Sequence, residues 1–427
     1  MPKLIPHSKI ARFFCIIGLI GLLFIAVTGV LFWQMSKVMG EDMNGLENDE
    51  WPYLHTSITD KQSEHNLKFV EILERYPDLK PEWRNVSDED NGFLQLLNLC
   101  EYVVGANGSD AEYRVTLSEE LRREVGDVVS EEDFAGGERF TALYKELERI
   151  AESEERSCAG IDPHRLISSK TLKLVRSFTD ILLYDAKLAA DTGDKEKALS
   201  RVRTAVRIVE HFSQIETQSL MGVTVLIVCE QSIVKTVFND LLPKLELSQE
   251  SYKEWRNVIT SRHIAITLEQ MSMGEFNLAT PVLSVPICEK VWLFQLTGID
   301  KVYDAIAEMH LELVRLYSEG YKSYIDGEKM DKVLATKNAE SFYVARLLVQ
   351  QLCLGWSLFT KSVIGSAAKF RHFDAALAHL SGEELPLELI TGKPFVLDAE
   401  KQILSMPSDP LLEEFCFEPI DFAKILK

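Results

Sequence analysis

The chain has 427 residues, 46% of them hydrophobic, a composition suited to a globular protein with a sizeable core and not to a disordered one. Its formal net charge is −20, a field that repels phosphates and excludes nucleic acid as a partner. The charge is uneven: residues 1–40 carry four basic and no acidic side chains, 41–160 carry 30 acidic and 12 basic, and the remainder 36 acidic and 30 basic.

Residues 1–12 are a short basic tail containing Lys3, Lys9 and Arg12. "FFCIIGLIGLLFIAVTGVLFW" (13–33) then runs for 21 residues without a charge. At ~1.5 Å per residue such a helix crosses a ~30 Å hydrocarbon core. It also exceeds the ~7–15-residue apolar stretch of a cleaved signal peptide. We expect a single-pass membrane anchor over residues 13–34. The basic tail before it, and Glu41, Asp42, Glu47, Asp49 and Glu50 after it, place the N-terminus in the cytoplasm and most of the chain outside. Residues 35–60 read as a polar tether.

Residues 61–165 form an acidic, membrane-proximal helical region interrupted by "NVSDEDNG", "VGANGSD" and "FAGGERF", all rich in turn formers. From 166 to 390 the periodicity is that of a helical core. Leu172, Val175, Phe178, Leu182 and Ala186 recur at three- and four-residue steps. On the next helix so do Leu199, Val202, Val206, Val209 and Phe212, with Arg203 and Arg207 on its other face. "LMGVTVLIVCE" (220–230) is too short to span a bilayer, and we expect it to be the most buried helix. Tyr252, Trp255, Ile259, Arg262 and Ile266 follow Ser248, an N-cap residue. Val302, Ile306, Met309, Leu313 and Leu316 define a further helix, and Phe342, Ala345, Val349, Leu352 and Trp356 another. Residues 391–427 close the chain, with "PFVLDAEKQILSM" (394–406) reading as two short strands around a polar turn. The expected fold is mainly α: a transmembrane helix, then an irregular multi-helix domain of antiparallel hairpins, then a short β-hairpin.

Residues 184–212 resemble one tetratricopeptide unit, with Ala186, Ala198 and Ala205 at the small positions and Gly193 in the turn. Glu210 stands where the closing proline is usual. Shifting by the ~34-residue period finds no second copy, so this is one hairpin and not a binding array. The order of an Ala-rich hairpin with a "GD" turn, "VRIVEHFSQIETQSLMGVTV", "LPKLELSQESYKEWRNVI" and a late "TGKP" resembles uncharacterised membrane-anchored helical proteins of planctomycete and verrucomicrobial bacteria, over about residues 170–406. That resemblance implies a bacterial inner-membrane protein facing the periplasm, and no known activity.

Motifs for chemistry are missing. "FAGGERF" and "VIGSAAKF" lack the phosphate-loop spacing. "GWSLF" places Ser357 in a helical context without the second glycine of a nucleophile elbow. His372 and His379, with Asp374 and Glu383 nearby, are expected as surface histidines on a helix. "SDEDNG" (87–92) has Asn98 where a calcium loop needs glutamate, and reads as a turn or helix start. The carboxylates of 112–155 read as a solvated acidic face. Six cysteines follow the anchor without paired zinc spacing. Cys229 and Cys353 are expected to be buried thiols, and the sequence leaves any disulfide pairing open. Asn85 and Asn107 head glycosylation sequons by pattern. No catalytic, cofactor-binding or metal residue is nominated, and no cofactor. Three functions stand: an envelope protein docking a protein partner, with a basic partner suited to the acidic field; an accessory subunit of a secretion or pilus-like system; or a hydrolase with an unrecognised acidic site.

Overall fold

A computed structural model describes residues 70–105, 140–161, 163–166, 169–260, 268–279, 299–318 and 356–426. The expected anchor at 13–34, the tether at 35–60, residues 61–69 and 106–139 of the acidic region, residues 261–267 and, of the helix expected over Phe342–Trp356, all but Trp356 lie outside these residues. The described chain is mainly helical. It contains α1 (Gly92–Gly105), α2 (Thr141–Ala151), α3 (Ser169–Asp191), α4 (Lys195–Ser213), α5 (Leu220–Thr236), α6 (Gln249–Thr260), α7 (Leu268–Gly274), α8 (Ile299–Ser318) and α9 (Trp356–Ser381). Strands β1 (Val396–Asp398), β2 (Ile403–Ser405) and β3 (Ile420–Asp421) follow.

The α3–α4 hairpin is the centre of the fold, and its turn follows from three residues. Gly193 adopts φ +76°, a left-handed conformation that glycine enters without a Cβ penalty. Its N–H donates to the Ala190 carbonyl and that of Asp194 to the Ala189 carbonyl, the paired bonds of a Schellman cap. Asp194 then starts the next helix, its carboxylate accepting from the Lys197 N–H at 3.0 Å. The expected stripes are buried on both helices, and Ala186, Ala198 and Ala205 have no exposed surface. Small side chains there let the two backbones approach.

Around this hairpin, α5 lies against both α3 and α4, α2 and α6 flank α4, and α9 packs on α5 and α6. α5 is helical as expected, but α4 is the more thoroughly buried, with 13 of 19 residues inside against nine of 17. Neighbours surround α4, whereas α5 turns Met221, Thr224 and Gln231 to solvent. Together with the turns that follow it, α5 forms a stretch, Leu220–Lys244, long and apolar enough to cross a membrane. Half of its most apolar window is buried within the fold, and Glu230 sits in that buried half. These are the marks of a core helix.

Ser248 caps α6 as expected, its Oγ accepting from the Ser251 N–H at 3.2 Å, and Tyr252, Trp255 and Ile259 are buried. The C-terminal hairpin forms with Leu397 opposite Leu404. A third strand, β3, pairs with the other edge of β2, so the expected two-stranded hairpin is a three-stranded antiparallel sheet. Two-residue β3 carries too little alternation to be read as a strand.

Candidate functional site

A groove of about 590 Å³ runs between α2, α4 and α6. Its floor is one face of α4, where Ser200, Arg203, Thr204 and Arg207 fall at three- and four-residue steps. Glu152 and Glu154 border it on the α2 side, and Glu254 and Asn257 on the α6 side.

The α2 wall is fastened to α4 by Arg201, which pairs with Glu148, binds Asp185 at 2.6 Å and stacks over the Tyr144 ring at 4.4 Å. Beneath the floor lies a charged cluster. Arg207 reaches Glu210 at 3.2 Å and Glu154 at 2.8 Å, and Arg156 reaches Glu210 at 2.9 Å. Glu210 is 2% exposed, so its carboxylate is tolerated only because two guanidiniums compensate it. Arg207 is itself buried. Arg203 and Arg207 share one face of α4, but the long side chain of Arg207 folds toward Glu210 and is buried while that of Arg203 stays exposed.

Two further polar groups lock this cluster in place. His211 is fully buried, its Nε2 2.8 Å from the Ile150 carbonyl. Burial, reinforced by Arg156, brings its pKa down to about 4. Glu216, in the α4–α5 connection, accepts from the Arg84 and Cys158 N–H groups at 3.0 and 2.9 Å and from the Ser157 hydroxyl at 2.6 Å. Burial alone raises a carboxyl pKa, but these donors outweigh it and hold Glu216 at about 2. Asn91 completes the clamp, exchanging two hydrogen bonds with the Ser157 backbone while capping α1.

The residues singled out by sequence fall elsewhere. His372 is not a surface histidine: it is buried, stacked on Phe395 at 5.4 Å, with Nε2 3.2 Å from the Leu404 carbonyl. The sheet covers that face of α9, and burial lowers the His372 pKa to about 4. His379 is exposed beside Phe422. Asp374 and Glu383 bind Arg256, at 2.7 and 2.6 Å, and so tie α9 to α6. Ser357 lies in the first turn of α9. "SDEDNG" is a turn, Ser87 bonding Asp90 at 2.6 Å, and leads into α1. Cys100, Cys158 and Cys229 are buried free thiols and Cys416 an exposed one. Among the described residues no three His, Cys, Asp or Glu side chains are grouped to hold a metal. The described part of the acidic segment is not a purely solvated face, since Glu148 and Glu154 pair with arginines of α4.

No family model, curated protein or solved structure matches this chain. Ser272 and His310 form the described pair closest to a nucleophile with a base, Oγ to Nδ1 at 3.0 Å, yet both are buried. Burial brings the His310 pKa down to about 3, so the pair has the character of an interior hydrogen bond between α7 and α8. The groove, by contrast, is open, charged and rigidly supported, which suits recognition more than bond making.

Proposed function

We propose that this chain is a membrane-anchored docking protein of a bacterial inner membrane. Residues 13–34 hold it in the bilayer with the N-terminus in the cytoplasm, and its helical part binds a protein partner in the periplasm through the groove between α2, α4 and α6. The basic residues before 13–34 and the acidic ones just after it support this placement. One observation carries the docking reading: the groove is an open cavity of about 590 Å³ whose floor residue Arg207 is held by Glu210, itself paired with Arg156. A preorganised polar surface of this kind loses little side-chain freedom when a partner binds. Its exposed carboxylates, within a chain of net charge −20, attract basic side chains.

The test is a photo-crosslinking amino acid placed at Asn257, on the groove wall, in the full chain in its native membrane. It should capture a discrete protein, while the same probe at Lys401, on the turn of the C-terminal sheet, should not. Equal labelling from both positions, or none from Asn257, would overturn the reading. Protease added to spheroplasts should digest the chain beyond residue 40 and spare a tag placed before Met1; a chain protected throughout contradicts the topology.

A further inference from the structure

The geometry points to a specific recognition element, resting on the docking reading above: the groove accepts a partner segment in which one carboxylate is flanked by two basic side chains. Charge along the groove alternates across its width. Carboxylates Glu152 and Glu154 lie on the α2 side, arginines Arg203 and Arg207 on the floor, and Glu254 on the α6 side. The two floor arginines are not equivalent. Arg207 is held from below by buried Glu210, so it is committed to the fold. Arg203 is 54% exposed, and its described ion pair is with Glu254, itself 60% exposed, at a long 3.3 Å.

An exposed pair of that kind contributes only about 0–1 kcal/mol, so it exchanges readily for an intermolecular one. An incoming carboxylate takes Arg203 from Glu254. The freed Glu254, and on the opposite side Glu152, then receive the two flanking cations, while Glu154 stays with Arg207. No charge is left unpaired by the exchange, which is the condition for burying charged groups at an interface without a large desolvation loss. A purely basic segment would set its cations against Arg203. A purely acidic one would set its anions against the wall carboxylates. Asn257, exposed on the α6 side, adds an amide that both donates and accepts.

The experiment uses the full chain in uncharged detergent and three labelled, end-capped pentapeptides: Ala-Lys-Glu-Lys-Ala, its charge-reversed form Ala-Glu-Lys-Glu-Ala, and Ala-Lys-Ala-Lys-Ala, which lacks the central carboxylate. Fluorescence anisotropy should rank the first tightest, about tenfold over the third, which is ~1.4 kcal/mol, and the second weakest. Arg203→Gln, an exposed change that leaves the fold alone, should abolish the advantage of the first peptide over the third, weakening the first and strengthening the third, whose cations no longer face Arg203. Equal affinity of those two peptides for the wild-type chain, a preference that survives Arg203→Gln, or no binding at millimolar peptide would each overturn the proposal. Crosslinking from Asn257 separates the two levels. If the partner is still captured while the peptide preference is missing, docking stands and this recognition element falls; if neither occurs, both fall.

Discussion

The imidazole of His211 occupies the space that a side chain at position 92 would need: a Cβ on Gly92 would overlap the ring. Gly92 opens α1, and its N–H donates to the Glu155 carbonyl at 3.0 Å. The start of α1, residue 155 and the C-terminal part of α4 therefore meet at one point with no room to spare. Gly92→Ala should destabilise the protein by about 1–3 kcal/mol, the usual cost of overpacking. Thermal unfolding of the full chain in uncharged detergent measures this. A melting temperature equal to wild type would mean that His211 moves aside freely.

Glu210 compensates two guanidiniums, and its loss should cost far more than its exposed neighbours do. Glu210→Ala removes the shared anion of the 13%-exposed Arg156 and the buried Arg207, leaving Arg207 with Glu154 alone, at about 3–5 kcal/mol. Glu254→Ala, which removes only an exposed partner, should stay within about 1 kcal/mol. Comparable losses from the two substitutions would contradict the compensating role of Glu210.

Stability should respond to two carboxyl groups in opposite directions. Burial raises Glu230 from the ordinary 4.5 to about 8, so the folded state keeps a proton that the unfolded state gives up. The stability it contributes is complete below 4.5 and is lost as the pH rises through about 8. Glu230→Gln should therefore stabilise the protein at alkaline pH by on the order of 2 kcal/mol, seen as a higher melting temperature, and change little near pH 5. If the variant melts no higher than wild type on the alkaline side, the assignment is wrong.

Glu216 behaves the other way. Its pKa is held at about 2 against an ordinary 4.5, so its contribution is present above 4.5 and lost as the pH falls toward 2. Glu216→Gln should cost about 2 kcal/mol at neutral pH and flatten the acid limb of the stability profile. An acid limb unchanged by the substitution would assign acid unfolding to other groups.

At the α3–α4 turn, Gly193→Ala should cost about 1 kcal/mol through its left-handed backbone, and Gly193→Asn less, because asparagine tolerates that region. Equal losses for the two, in the same melting assay, would show that the turn depends on something other than backbone conformation.

The sequence alone determined what is local. Apolar spacing placed α3, α4, α6 and α8, Gly193 and Asp194 set the hairpin turn, Ser248 capped α6, and Val396–Ser405 carried the alternation of two strands. Each depends on residues within a turn or two of one another, where periodicity and backbone preference act directly. The candidate site does not. Glu216 finds Ser157 59 residues away, Arg207 finds Glu154 53 away, and His372 is buried by a strand 32 residues further on. Glu210, at the position of an expected proline, gave no local sign that Arg156 would meet it, and nothing near Arg207 in the chain showed that it is buried while Arg203 is exposed. A polar side chain's burial and partner are settled by which distant segment packs over it, because desolvation and compensation are properties of the assembled interior. Only the tertiary structure decided those pairings, and with them the groove.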